Sequence, residues 1–313
     1  MPLSLRRGVV TAVVERHEGL ARVEVDGVPC IAYPQLTGPV ALGDEVIVNT
    51  QARGLQLGSG GFAVLHANLT RGLDLAPEPD AHVMKLPYTS VQAAIRHAEE
   101  GESQATSLDG MPVVCCSLHS QLVPVCAALA GLRVAYVQLE GGALPVALSD
   151  AVRALKERGL LGETVAVGAC LGGDVECVTP WSALAWVRAR GYDVAVCGIG
   201  PGIVGTASRL GHGGLAAVIA ANAATSLGGR PVIAARVSES DPRDRHRGLS
   251  HHTQAVLDMC LGETLVAEER HAEGWREACA SLPLSHMGRG PDEDPSFFAA
   301  AFAAGRLARE LLA

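Results

Sequence analysis

The sequence predicts an α/β protein in two parts: a small N-terminal β-barrel, SH3- or OB-like, followed by a Rossmann-like, mainly parallel α/β sandwich. Three observations carry this reading. Residues 8–67 contain five short apolar runs divided by turn signals. From residue 81 onward, apolar runs alternate with stretches that have helix start and stop signals. Composition is 48% hydrophobic but only 4% aromatic, and 36 glycines suit close packing of helices on a sheet. At 313 residues the chain has room for two cores. The expected boundaries are 1–69 for the barrel, 70–80 for a linker and 81–313 for the α/β domain.

In the barrel region the runs are GVVTAVV, LARVEV, VPCIAY, DEVIVNT and FAVLHANL. Ala21, Val23 and Val25 alternate with Arg22 and Glu24, the period of a strand with one wet face. Asp26-Gly27 between the second and third runs is a hairpin dipeptide. Gly58-Ser59-Gly60-Gly61 reads as a tight turn, with a backbone anion nest as the alternative. TRGLDLAPEPD, residues 70–80, has two prolines, charged residues and no apolar period, which is linker composition.

Beyond it, HVMKLPY, PVVCCSL, RVAYVQL, TVAVGA, DVAVCGI and PVIAARV predict six parallel strands. Ser120, Pro145 and Thr179-Pro180 are expected to open the intervening helices, which Gly131, Gly159 and Gly191 close. Asp294-Pro295 opens a closing amphipathic helix, FFAAAFAAGRLARELLA.

The balance of 33 acidic against 25 basic residues gives −8, which disfavours a nucleic-acid footprint because that needs a basic patch. MPLSLRRGVV lacks the apolar core of a signal peptide, and no apolar run reaches about 18 residues. A cytoplasmic protein without a membrane partner is therefore expected. The nine cysteines form no CxxC pair and read as reduced, packed residues; for Cys170, which follows an apolar strand and precedes a glycine-rich turn, a stabilised thiolate is the alternative.

In an open α/β sheet the strand-to-helix loops emerge at the carboxyl edge, so polar residues far apart in sequence meet there. The loops expected at that edge carry His119, Gly141 and Gly142, Gly173 and Asp174, the run Gly198 to Gly205, and the segment from Arg236 to Gln254. The glycine run contains GxGxxG directly after a strand, where Gly200, Gly202 and Gly205 would let backbone amides approach a phosphate. The acidic residue that holds a ribose in a dinucleotide site is replaced at the end of the next strand by Arg236 and Ser238. The last segment is dense in charge and ends in Ser250-His251-His252. With Ser250 as N-cap, both histidines fall in the first helical turn, where the helix dipole disfavours imidazolium. His17, His97, His271 and His286 read as surface residues, and His66 and His212 as structural ones.

EGGALPVALSD, GGDVECV, GPGIVGTASRLG and DPRDRHRGLSHHTQAVL, with the earlier LGSGG, resemble an uncharacterised bacterial family catalogued as domain of unknown function 3866. The resemblance spans nearly the whole chain. It implies a shared site and no particular chemistry.

The residues themselves point to a hydrolase or group transferase acting on a small anionic molecule, phosphorylated or carboxylated. Gly200, Gly202, Gly205, Gly141, Gly142, Gly173 and the Ser250 helix start would bind the anion, with charge-assisted contacts from Arg236, Arg243 and Arg245. His251 or His252 would act as general base, with Asp174, Asp241 or His119 orienting it or holding a divalent metal. A nucleotide- or NAD(P)-linked oxidoreductase and a non-catalytic metabolite-binding or scaffold protein stay open as alternatives, as does a homo-oligomer.

Overall fold

The computed structural model describes residues 3–55 and 61–313. The Gly58–Gly61 turn falls largely outside the described residues. The chain divides into two compact units, Met1–Arg96 and His97–Ala313.

In the first unit, β1 (Leu5–His17), β2 (Leu20–Val25), β3 (Val28–Ala32), β4 (Glu45–Asn49) and β5 (Ala63–Asn68) close into a barrel in the order β1-β2-β3-β5-β4. β1 pairs with both β2 and β4, and β3 runs parallel to β5. This order decides for an OB-type barrel over an SH3-like one. Asp26 and Gly27 both take positive φ, 49° and 75°, as a two-residue hairpin turn requires. The expected alternation holds, since Ala21, Val23 and Val25 join Val10, Val46, Val48 and Leu65 in the barrel core. Single helical turns α1 (Pro34–Thr37) and α2 (Gln51–Gly54) lie in its loops. Buried Asp44 locks the barrel wall, accepting hydrogen bonds from Arg71 (2.6–2.9 Å), Asn68 Nδ2 (2.8 Å) and the Ala41 amide (2.8 Å).

HVMKLPY is not a strand of the α/β sheet. Residues Val83–Lys85 (β6) pair antiparallel with Ala93–Ile95 (β7) in a separate ribbon grouped with the first unit. Three-residue strands carry too little apolar surface to be read from periodicity alone.

The second unit contains a seven-stranded parallel sheet built from β8 (Pro112–Cys116), β9 (Val134–Leu139), β10 (Thr164–Val167), β11 (Val175–Cys177), β12 (Val194–Ile199), β13 (Arg230–Ala234) and a last strand, Leu265–Val266. The order is β11-β10-β9-β12-β8-β13 followed by Leu265–Val266. Five predicted strands are present, and the two short edge strands complete the sheet. Its central strands are buried on both faces, which is why they read as continuous apolar runs. Helices α3 (Leu122–Ala128), α4 (Asp150–Glu157) and, at the C-terminus, Pro295–Glu310 pack on one face. Helices α5 (Pro180–Ala189), α6 (Ala216–Ser226) and α7 (His251–Met259) pack on the other. Alanine dominates α6, and every alanine in it is buried, so small side chains bring its backbone close to the sheet. A short helix, α8 (Trp275–Cys279), precedes the C-terminal α9 (Pro295–Glu310).

The cap predictions divide. Thr179 forms a capping box with Ser182 and Pro180 opens α5 as expected. Ser120 does not cap α3; its hydroxyl meets His286 Nδ1 at 3.1 Å. Pro145 precedes a 3₁₀ turn, and the cap of α4 is Ser149, whose hydroxyl accepts from the Val152 amide at 2.9 Å. Asp294 stands at the N-cap position of α9, but its carboxylate accepts from Ser238 and Arg289 instead of capping the helix. Among the described residues no helix is long and apolar enough to cross a membrane.

Candidate functional site

Not every candidate loop reaches the carboxyl edge. After β10 the chain turns back, and Asp174 lies just before β11, accepting from the amide (2.7 Å) and hydroxyl (2.8 Å) of Thr164 at the start of β10. Asp174 is thus placed at the amino edge of the sheet. Burial alone would raise its carboxyl, but hydrogen bonds from Lys156 (2.7 Å) and Thr164 outweigh this and hold it below the usual range. This is a clasp between α4 and the sheet. Gly173 shares it, since a Cβ there would stand 2.7 Å from the Val175 carbonyl oxygen and 2.8 Å from the Ala166 nitrogen.

His119 lies at the carboxyl end of β8 with both ring nitrogens engaged. Nδ1–H donates to the Ile199 carbonyl at 3.0 Å, so Nε2 accepts from the Ser149 hydroxyl at 2.7 Å. Burial pushes its pKa down to about 4. It joins β12 to the start of α4 and keeps no nitrogen for a ligand.

The glycine residues form a backbone junction. Ala143 N–H donates to Pro201 O (2.8 Å), Val204 N–H to Gly141 O (2.9 Å) and Gly213 N–H to Val204 O (2.7 Å). A Cβ on Gly142 would stand 2.2 Å from Gly200 O, and one on Gly200 2.1 Å from Ala143 O. Glycine is required because two loops touch through their main chains. Gly205 packs against His212, with which it forms an isolated antiparallel bridge. Gly202 takes φ +74° with open space where a Cβ would be.

The charged segment behaves differently. After β13 the chain forms a small ribbon, β14 (Val237–Ser238) with β15 (Gly248–Leu249), and α7 begins immediately. Ser250 is its N-cap as predicted, accepting from the His252 amide at 3.2 Å. Arg236 is fully buried, and its main chain anchors the helix start through Ser250 N–H (2.9 Å) and Thr253 Oγ (2.8 Å). Asp241, also buried, accepts from Arg236 Nη2 (3.0 Å) and from Arg243 Nε and Nη2 (both 2.9 Å), and Arg289 lies 3.6 Å away. Burial would raise the Asp241 carboxyl, but the hydrogen bonds and charge of Arg243, with the charge of Arg236, drive it far below the carboxylate range. Asp241 is therefore an ion-pair centre with no basicity to offer near neutral pH. It organises the loop behind the histidines.

Four imidazoles gather in front of it. His212 stacks on His252 with ring centroids 3.6 Å apart, His251 lies 4.4 Å from His252, and His246 lies 4.8 Å and 4.7 Å from His251 and His252. His212 Nε2 meets the Arg209 carbonyl at 3.0 Å, and an exposed Arg209–Asp258 ion pair links the same loop to α7. His246 Nδ1 meets the Ser250 hydroxyl at 2.7 Å. His212 Nδ1, His251 Nε2 and His252 Nδ1 are buried without a hydrogen-bond partner. All four rings are held neutral, by burial first and then by neighbouring arginines or histidines, with His246 pushed down to about 3. One ring nitrogen from each of His246, His251 and His252 lies within 4.8 Å of the others, so these three could hold a metal ion. Arg245 is exposed nearby and lowers the His251 pKa through its charge.

Sequence reading singled out His251, His252 and Ser250 but missed His246, His212, Arg289 and Asp294 in this network. The spacing His246-x4-His251-His252 was the available signal, obscured by the surrounding arginines. His286 is also buried rather than superficial, stacked on Phe297 at 3.7 Å. His97 and His271 are buried too.

Fold and site together define a protein in which a parallel α/β sheet carries a neutral histidine cluster on the loops following β12 and β13, in a chain that begins with a β-barrel. It belongs to the family described as protein of unknown function (DUF3866), whose model matches residues 29–278. The match includes every histidine of the cluster. No curated protein matches the sequence.

Proposed function

We propose that this protein is an enzyme, a hydrolase or group transferase, that acts on a small phosphorylated or carboxylated molecule at the start of α7. The observation that carries the reading is the gathering of neutral imidazoles with unpartnered buried nitrogens beside cationic side chains. An unpaired buried polar atom costs about 1–3 kcal/mol, so a cluster of them signals a group that arrives later. His251, the partly exposed member, serves as general base, because a neutral imidazole with a free nitrogen can take a proton at neutral pH. Arg245 and the N-terminal amides of α7 meet the substrate's negative charge. The dinucleotide alternative draws less support, because the facing loop fills the space beside Gly200 and holds the Val204 amide, and because Arg236 and Ser238 stand where a ribose-binding acid would be.

The test is a thermal-shift screen of phosphate esters and small carboxylates, followed by turnover assays on the binders. Ligand at about 100 times its Kd should stabilise the protein by roughly 2.7 kcal/mol. His251→Gln should lower turnover about 10²–10⁴-fold, the span of general-base catalysis. A protein that responds to none of these anions, or whose turnover survives His251→Gln intact, contradicts the reading.

A further inference from the structure

We infer that His246, His251 and His252 bind one first-row divalent transition-metal ion through three imidazole nitrogens, leaving coordination open for an anionic ligand. The inference deepens the proposed function and rests on that reading for the role of the open position; with the ion bound, His251 is a ligand, and its role as a free base belongs to the metal-free protein. Three observations support it.

The first is geometric. The three ring nitrogens lie within 4.8 Å of one another, while a tetrahedral zinc site with Zn–N of about 2.0–2.1 Å separates its nitrogens by about 3.3 Å. Binding would draw the rings together by up to about 1.5 Å, a shift within the reach of side-chain adjustment.

The second is the state of the nitrogens. A metal needs the lone pair of a neutral imidazole. His251 Nε2 and His252 Nδ1 are buried and bond to nothing else. His246 Nδ1 is paired with the Ser250 hydroxyl, so the donor from that ring is Nε2, with Nδ1–H donating to Ser250. A hydrogen bond from the far nitrogen to a fixed oxygen orients a metal-binding histidine and sets its tautomer.

The third is the donor set. Among the described residues the group consists of three histidines with no fourth ligand, which matches a catalytic zinc site rather than a closed structural one. Nitrogen donors favour zinc and its first-row neighbours over magnesium or calcium. The guanidinium groups of Arg236, Arg243 and Arg289 oppose a bare cation, but Asp241 and Asp294 offset most of that charge. What positive field is left, added to the N-terminus of α7, favours an anion on the metal. The alternative, histidines stacked only to fill a core, leaves their nitrogens unpaired.

The experiment uses the untagged full-length protein, stripped with chelator and titrated with cobalt(II) under visible absorption and with zinc by calorimetry. One equivalent of cobalt giving intense tetrahedral-type bands, displaced by zinc, is expected. His246→Gln, His251→Gln and His252→Gln should each weaken zinc by more than about 100-fold, beyond the 10–100-fold typical of an outer-sphere change. His119→Gln should bind as the wild type does, and circular dichroism checks that each variant is folded. Absence of stoichiometric cobalt uptake by the wild type, or wild-type uptake by the three cluster variants, overturns the inference. Anion binding by a chain that takes up no metal would remove the metal and leave the proposed function standing. Metal bound at the three histidines, with no anion response and no turnover, would do the reverse.

Discussion

The glycine junction and the histidine segment looked alike as candidates in the sequence, both polar, both after strands, both able to receive an anion. In three dimensions they are opposites. At the junction, loops 141–143 and 200–213 are joined by main-chain hydrogen bonds, and its close approaches leave no room for a Cβ. At the start of α7, buried nitrogens converge with their bonding capacity unspent. The difference teaches that glycine at a strand end reports proximity, which another loop can satisfy as well as a phosphate can. Unsatisfied polar atoms held together by a satisfied network are the better sign of a ligand.

That contrast can be strained from several directions. The largest effect is expected at Asp241, where Asp241→Ala leaves the buried Arg236 without its carboxylate partner. Breaking such a buried pair costs about 3–5 kcal/mol. Chemical denaturation should show that loss, and with it the loss of ligand response, since the loop carrying His246 depends on Asp241.

Gly142→Ala or Gly200→Ala should cost about 1–3 kcal/mol through overpacking against a carbonyl oxygen. At this size that lowers Tm by roughly 2–4 °C per kcal/mol. Anion affinity should persist in the folded variant, and a selective loss of affinity with unchanged stability would move the site back to the junction.

Acid should weaken the fold through its buried histidines, structural and clustered alike. Burial pushes His119 to about 4 and His286 to about 3, both below the value near 6.5 of an unfolded chain. As pH falls through 6.5 the unfolded state takes up protons first. Stability is therefore full above about 6.5 and declines towards pH 4 and 3, by on the order of 1–3 kcal/mol for each group. His119→Gln should flatten that decline in urea titrations across the range.

The smallest effect on stability is expected from Ser250→Ala, about 1 kcal/mol for a lost N-cap. The same change removes the partner of His246 Nδ1, so metal affinity should fall about 10–100-fold while His119 is untouched.

These contrasts also mark what was legible in the sequence. Strand β12 and helix α5 were readable because a continuous apolar run and a Thr-Pro capping pair are local signals. The five barrel strands were readable from period-two alternation and Asp26-Gly27, but their closure order was not, because pairing of β3 with β5 is a long-range choice. HVMKLPY misled because a three-residue ribbon strand and a sheet strand have the same short apolar signature. Asp174 was assigned to the wrong edge because the chain doubles back after β10 without a helix, which no local propensity announces. Ser250-His251-His252 could be seen as a capped pair of imidazoles. His212 could not be connected to it, since their stacking depends on how the loops after β12 and β13 fold over the sheet. Arg289 and Asp294 were invisible for the same reason.

The most direct test of where the ligand binds is nuclear magnetic resonance of the full-length protein, with histidine side chains and backbone amides observed together during titration with inorganic phosphate and then a dicarboxylate. Ring resonances of His246, His251 and His252 are expected to move in step with binding while the amides of Gly142, Gly200 and Gly202 stay in place. Movement of those glycine amides with the imidazole resonances unchanged would contradict this location.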